Sequence, residues 1–262
     1  MTVIKVLQKP KLKNPILIVG LPGIGNIGRV GVGYLIDELK AKKFAELYSE
    51  HFFPFVILEE NHEVKLLKNY LHYWKAKAKG RDLIFLTGDC QSQSSEGHYH
   101  MVETVLDFAK KLGVNDVITI GGLATGEVEE KPVVYGTLSE ASLEKKYGKY
   151  KIDFGVHKKV GYIVGAAGLM LGLGRERGMK GICLLGETSG FPIVTDPKAA
   201  GAVLDVLLKI IGIKVNMKEL DSRVKEMESF IKRIEGLQKK AVMEIVKDSK
   251  APAKKDELRY IG

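Results

Sequence analysis

Short continuous apolar runs alternate along the chain with stretches whose apolar residues recur every three or four positions. Ile16–Val19, Leu83–Thr87, Val117–Ile120 and Ile182–Leu185 are runs of the kind found in strands covered on both faces. Between them, Ile27, Val30, Tyr34, Leu35 and Leu39 are spaced as one face of a helix running to about Lys42. Met101, Val105, Phe108, Ala109 and Leu112 do the same over Glu96–Leu112, and Gly113 stops that helix. Further helices are expected over Ser139–Lys146, Leu169–Arg177 and Ala199–Ile211, the last with Asp196 as cap and Pro197 at its first position. Weaker strands are expected at Met1–Leu7, Phe44–Tyr48 and Val133–Thr137. His51–Leu58, broken by Pro54, reads as a loop and strand over the core. Within Glu63–Lys77, the residues Val64, Leu66, Tyr70, His72 and Trp74 suggest an antiparallel strand pair. Strands alternating with helices imply an α/β domain: a mostly parallel sheet with helices on both faces, and one antiparallel addition.

From Val215 the pattern changes. Asn216 with Glu219 forms a capping-box pattern. A heptad seam follows, with Met217, Val224 and Ile231 at a and Leu220, Met227 and Ile234 at d, continuing through Gln238, Ala241 and Ile245. Such a helix packs either on its own domain or against other copies of the chain. Ile231 at a with Ile234 at d favours trimers or tetramers, while Val224 at a favours two strands. Asp248–Glu257 is charged, contains Pro252 and has no apolar face, so it is expected to be flexible. The chain then ends Leu258-Arg259-Tyr260-Ile261-Gly262, an apolar cluster that has no reason to follow a solvated linker unless something binds it. The expected organisation is a core over 1–214, an amphipathic helix over 215–247 and a tail over 248–262.

The glycine-rich turn after the first buried strand is the prominent chemical motif. Gly23, Gly25 and Gly28 fit G-x-G-x-x-G, and Asn26 is placed to cap the helix. Such glycines either let a phosphate approach a helix N-terminus or let the helix lie close to a sheet. Leu21-Pro22 lengthens the turn, and the acidic partner expected about 20 positions on would have to be Glu46 or Glu50. No Gly-Lys-Ser/Thr ends the loop, which excludes a P-loop NTPase. A nucleotide- or nucleoside-binding enzyme remains the alternative reading of this turn. Cys90, His98 and His100 lack the spacing of metal ligands, so no metal or other cofactor is expected. Asp89 with His98 is a candidate acid–base pair near a strand end, and Glu187-Thr188 falls at another.

Bulk properties narrow the partners. The 262 residues carry a net charge of +9, but the lysines are spread without a long basic block, which argues against nucleic acid and leaves an acidic protein surface as a partner. No apolar run reaches the roughly 18 residues that span a membrane, and Met1–Lys13 has no apolar core of a signal peptide. Two cysteines suit a reducing cytoplasm.

The motifs Leu21-Pro-Gly-Ile-Gly-Asn-Ile-Gly28, Gly121-Gly-Leu-Ala-Thr-Gly126, Gly165-Ala-Ala-Gly-Leu-Met-Leu-Gly172, Leu184-Leu-Gly-Glu-Thr-Ser-Gly190 and Asp196-Pro-Lys-Ala-Ala200 occur in that order. Together they resemble the archaeal branch of the proteasome assembly chaperone family, over roughly Pro15–Gly212. The resemblance implies a three-layer α/β/α sandwich akin to nucleoside phosphorylases without established catalysis. It also implies non-enzymatic homo-oligomers that bind the α-ring of the 20S proteasome. Proteasome activators in general dock a C-terminal hydrophobic–Tyr–any tripeptide. Here Tyr260 is third from the end, Arg259 holds the hydrophobic position and Leu258 lies one further back, so the tail is related but shifted.

Overall fold

The computed structural model describes residues 1–77, 80–126, 131–190 and 195–222, and beyond these 224, 225, 229, 232, 233, 236, 237, 239, 240 and 243. In chain order the elements are β1 Thr2–Val6, β2 Ile16–Val19, α1 Ile27–Glu38, β3 Lys42–Ser49, β4 Val56–Leu58, β5 Val64–Leu66, β6 Asn69–Trp74, β7 Leu83–Gly88, α2 Ser95–Lys111, β8 Asp116–Ala124, β9 Val134–Leu138, α3 Glu144–Tyr147, α4 Ala166–Glu176, β10 Lys180–Thr188 and α5 Pro197–Ile211. One sheet has the order β1-β3-β6-β7-β2-β8-β10-β9, and β4 with β5 forms a separate ribbon.

The sheet is parallel at its centre, through β7, β2, β8 and β10. These strands are the continuous apolar runs, because helices cover both of their faces. Alternation sorts their side chains. Ile16 and Ile18 face α1 and α5, while Leu17 and Val19 face α2 and α4. The flanking pairs β1–β3, β3–β6, β6–β7 and β10–β9 are antiparallel. The expected single antiparallel addition is therefore too few, since both margins of the sheet are antiparallel. Glu63–Lys77 does not form a pair with itself: β5 joins β4, and β6 is inserted between β3 and β7. Ser139–Lys146 is a short turn of helix ending in α3. α1 stops at Glu38, ahead of its expected end, because Lys40 takes a positive φ of 49° and β3 opens at Lys42.

Helix ends follow their chemistry. The Ser94 hydroxyl accepts from Gly97 N at 3.0 Å to cap α2. The Asp196 carboxylate accepts from Ala199 N at 2.9 Å to cap α5, with Pro197 at the first position. Gly212, at φ 70°, ends α5. The chain then returns across α1, where the Tyr34 hydroxyl donates to the Asn216 carbonyl, and the described residues of 220–243 are helical. Leu220 and Val224, 5 % and 1 % exposed, pack with half-buried Met217 into the core shared by α1 and α5. Met227, Ile231 and Ile234 of the expected seam lie outside the described residues, as does the whole of 244–262.

Candidate functional site

The carboxyl ends of β2, β8 and β10 open onto a cleft of about 300 Å³, the position where open α/β sheets bind ligands. Its walls include Leu21 and Gly23 of the turn, Gln91 and His98, and Ile163 and Ala166 at the start of α4. The turn lies against the sheet by direct backbone contact. A Cβ on Gly20 would sit 2.1 Å from the Gly28 carbonyl oxygen, one on Gly28 2.5 Å from that of Ile120, and one on Gly122 2.3 Å from that of Ile24. Gly25 needs its glycine for conformation, at φ 63°, and its carbonyl accepts from Asp196 N at 3.0 Å. The demand for glycine at Gly28 is thus a packing demand. Gly23 differs, since a Cβ there would meet nothing nearer than the Gln91 amide at 3.7 Å.

Asn26 is buried and its backbone is left-handed at φ 50°, and its side chain makes no cap hydrogen bond, contrary to the cap expected from the sequence. Its short polar side chain tolerates the left-handed region that the lengthened turn imposes. The α4 end of the cleft is already occupied by a side chain. Gln91 spans the opening, donating from Nε2 to the Pro22 carbonyl at 2.5 Å and accepting at Oε1 from Ala166 N at 3.0 Å. A neutral amide thereby fills the N-terminus of α4, and no lysine or arginine lines the cleft among the described residues. The space is mostly apolar and uncharged, and a nucleotide's phosphates would find no counter-charge in it.

The other sequence candidates disperse. The Asp89 carboxylate accepts from Lys68 N and from the Tyr70 hydroxyl, each at 3.0 Å, and so ties β6 to the end of β7. The His98 Nδ1–H donates to the Ser94 carbonyl at 2.9 Å, so Asp89 and His98 are committed to different partners. Cys90 is buried, which pushes its thiol up to about 12, and His100 packs edge-on against His51 at 5.4 Å. Among the described residues no cluster of three or more His, Cys, Asp or Glu could hold a metal ion. Glu187 accepts weakly from Val133 N at 3.3 Å, and Thr188 donates to Asp196 at 2.8 Å. Both therefore brace the strand end. Gln91, the residue that closes the cleft, went unnoticed in the sequence. It stands in a polar loop with no spacing signal, and only its adjacency to the strand end at Gly88 pointed to it.

The candidate partner residues Leu258, Arg259, Tyr260, Ile261 and Gly262 lie outside the described residues. No helix among the described residues is long and apolar enough to cross a membrane.

Comparison with known proteins places this architecture. The model of the PAC2 family matches residues 17–235, a span that contains all five ordered motifs. An uncharacterized protein of Methanocaldococcus jannaschii is 39 % identical over 259 residues, covering 98 % of this chain and 96 % of the relative. The crystal structure of Pyrococcus furiosus PbaB, an archaeal proteasome activator, is 42 % identical with a TM-score of 0.80, covering 89 % of this chain and 98 % of that one. P. furiosus PbaA, an archaeal homolog of proteasome-assembly chaperone, shares the fold with a TM-score of 0.73 at 24 % identity, over 92 % of this chain and 99 % of its own. A family model over most of the sequence and a relative alike along nearly its whole length establish that the chain belongs to the PAC2 family.

Proposed function

We propose that the protein is a non-enzymatic, cytoplasmic homo-oligomer that binds the α-ring of the 20S proteasome through Leu258–Gly262 and promotes its assembly or opens its gate. The likeness to PbaB carries this reading: 42 % identity over nearly the whole of a proteasome activator. Three features of this chain support it. The cleft offers neither a charged group nor a paired acid and base for catalysis among its described lining residues. The sequence from 248 to 257 is charged and without an apolar face, as a spacer requires. The last five residues put an aromatic anchor between two aliphatic ones. Several such ends on one oligomer raise avidity through effective concentration.

The test is peptide hydrolysis by 20S particles, with the full chain and with a chain lacking Leu258–Gly262, alongside a pull-down. Stimulation and capture by the full chain alone are expected. Equal capture by the shortened chain would eliminate the tail mechanism. The helical association belongs to the distal part of the seam. Val224 lies in its own subunit's core, so a charge there would strike the fold, whereas Ile231→Glu tests association by light scattering.

A nucleotide or nucleoside in the cleft is the competing reading, favoured by Gly23, where packing does not demand a glycine because a Cβ would make only ordinary contact with the Gln91 amide at 3.7 Å. A ligand held there would raise the thermal midpoint by mass action across a nucleotide and nucleoside panel.

A further inference from the structure

The β4–β5 ribbon carries an apolar face that its own subunit leaves open. Val56 pairs with Leu66, Ile57 with Lys65 and Leu58 with Val64. Side chains alternate across a strand, so Val56, Leu58, Val64 and Leu66 share one face and Ile57 points the other way. Ile57 is 1 % exposed, whereas Leu58 and Val64 are 69 % and 66 % exposed. The solvent face of a two-stranded ribbon is ordinarily polar, and four clustered aliphatic side chains there mark an interaction surface. The turn that joins the strands is acidic, with Glu59, Glu60 and Glu63.

The helical residues described within 220–243 come to this ribbon at its backbone. Arg233 Nη2 donates to the Leu58 carbonyl at 2.7 Å. That contact leaves the aliphatic face free. The same helix carries exposed Lys239 and Lys240, opposite in sign to the ribbon's turn, and its sequence continues an apolar seam beyond the residues buried on its own core. We infer that the aliphatic face of the ribbon receives the C-terminal helix of a second copy of this chain. Its apolar seam covers Leu58 and Val64 and its cations meet Glu59, Glu60 and Glu63. The acidic turn disfavours a nucleic acid or an acidic protein as occupant. The inference rests on the homo-oligomer reading above and names the surface that builds the oligomer.

Light scattering on the full chain tests it. The wild type is expected at a multiple of 28.9 kDa, and the Leu58→Ser/Val64→Ser variant at no more than half the wild-type mass with its circular-dichroism melting profile kept. Chains carrying only Val64→Cys, co-expressed with chains carrying only the seam substitution Ile234→Cys, should yield a mixed disulfide dimer on oxidation. The native cysteines are both buried and give little background. A monomeric wild type would overturn the inference together with the oligomer reading. An oligomeric wild type, an unchanged mass in the serine variant and no mixed dimer would overturn the inference alone. So would a serine variant that keeps its mass but loses 20S binding, because the face would then belong to the proteasome.

Discussion

Gly23 and Gly28 occupy one turn and answer to different constraints. A methyl group on Gly28 would be driven into the Ile120 carbonyl at 2.5 Å, and backbone cannot step aside as a side-chain tip can. Gly28→Ala is expected to lower stability by about 1–3 kcal/mol, as overpacking does, and Gly23→Ala to stay within about 0.5 kcal/mol. Urea unfolding of the two variants checks this, and equal losses would mean that the packing account of the turn is wrong. His72 sets a second expectation. On β6, paired with Lys43 and Phe85, its imidazole is held down to about 4 from an ordinary 6.5, first by burial and then by the Lys43 charge. The unfolded chain takes up this proton below 6.5 and the folded chain only near 4. Stability is therefore full above pH 6.5 and falls as the pH drops toward 4. Glu46, held down to about 2 by hydrogen bonds from Lys43 and Lys68, adds a separate loss between about 4.5 and 2. His72→Gln should flatten the upper limb alone in a series of melts across pH, and an unchanged profile would show that another group titrates there.

The elements divide into those whose sequence states their surroundings and those whose sequence does not. β2, β7 and β10 announce themselves through the runs Ile16–Val19, Leu83–Leu86 and Ile182–Leu185, because the part of a strand buried on both faces must be apolar. α2 and α5 announce themselves through period and cap together. Asp196 illustrates how much a cap residue can carry: it accepts from Ala199 N, receives the Thr188 hydroxyl and donates its own N–H to Gly25. Asp196→Ala is expected to cost about 1–2 kcal/mol, more than Ser94→Ala at the α2 cap. Thermal unfolding of both variants ranks them, and the reverse order would leave the link to the glycine turn without energetic weight. What the chain could not declare is partnership. Val64–Leu66 and Asn69–Trp74 read as mates, yet each pairs elsewhere, because short alternating runs encode a face and not a neighbour. The glycine turn was legible and its purpose was not, since close backbone approach and ligand approach select the same residue. The stripe Met217–Leu220–Val224 was equally legible, but a stripe does not say whose core it enters.

At the scale of the molecule, the proposed function makes the α/β body a scaffold and sets the working residues at the far end of the sequence. That division makes the spacer a geometric variable. Ten residues, Asp248–Glu257, reach at most about 33–36 Å when fully extended, and avidity vanishes once a linker cannot span the distance between sites. If the segment acts only as a spacer, its order of residues is immaterial and its length is not. A variant with Asp248–Glu257 scrambled should stimulate 20S peptide hydrolysis at the same half-maximal concentration as the wild type. Deleting five of the ten residues should raise that concentration at least tenfold, with the oligomer's mass in light scattering unchanged. The two variants share the Leu258–Gly262 end, so a difference between them isolates reach from recognition. Equal potency of the shortened chain would mean that the ends do not engage several pockets at once, and the avidity account would give way to binding through a single contact.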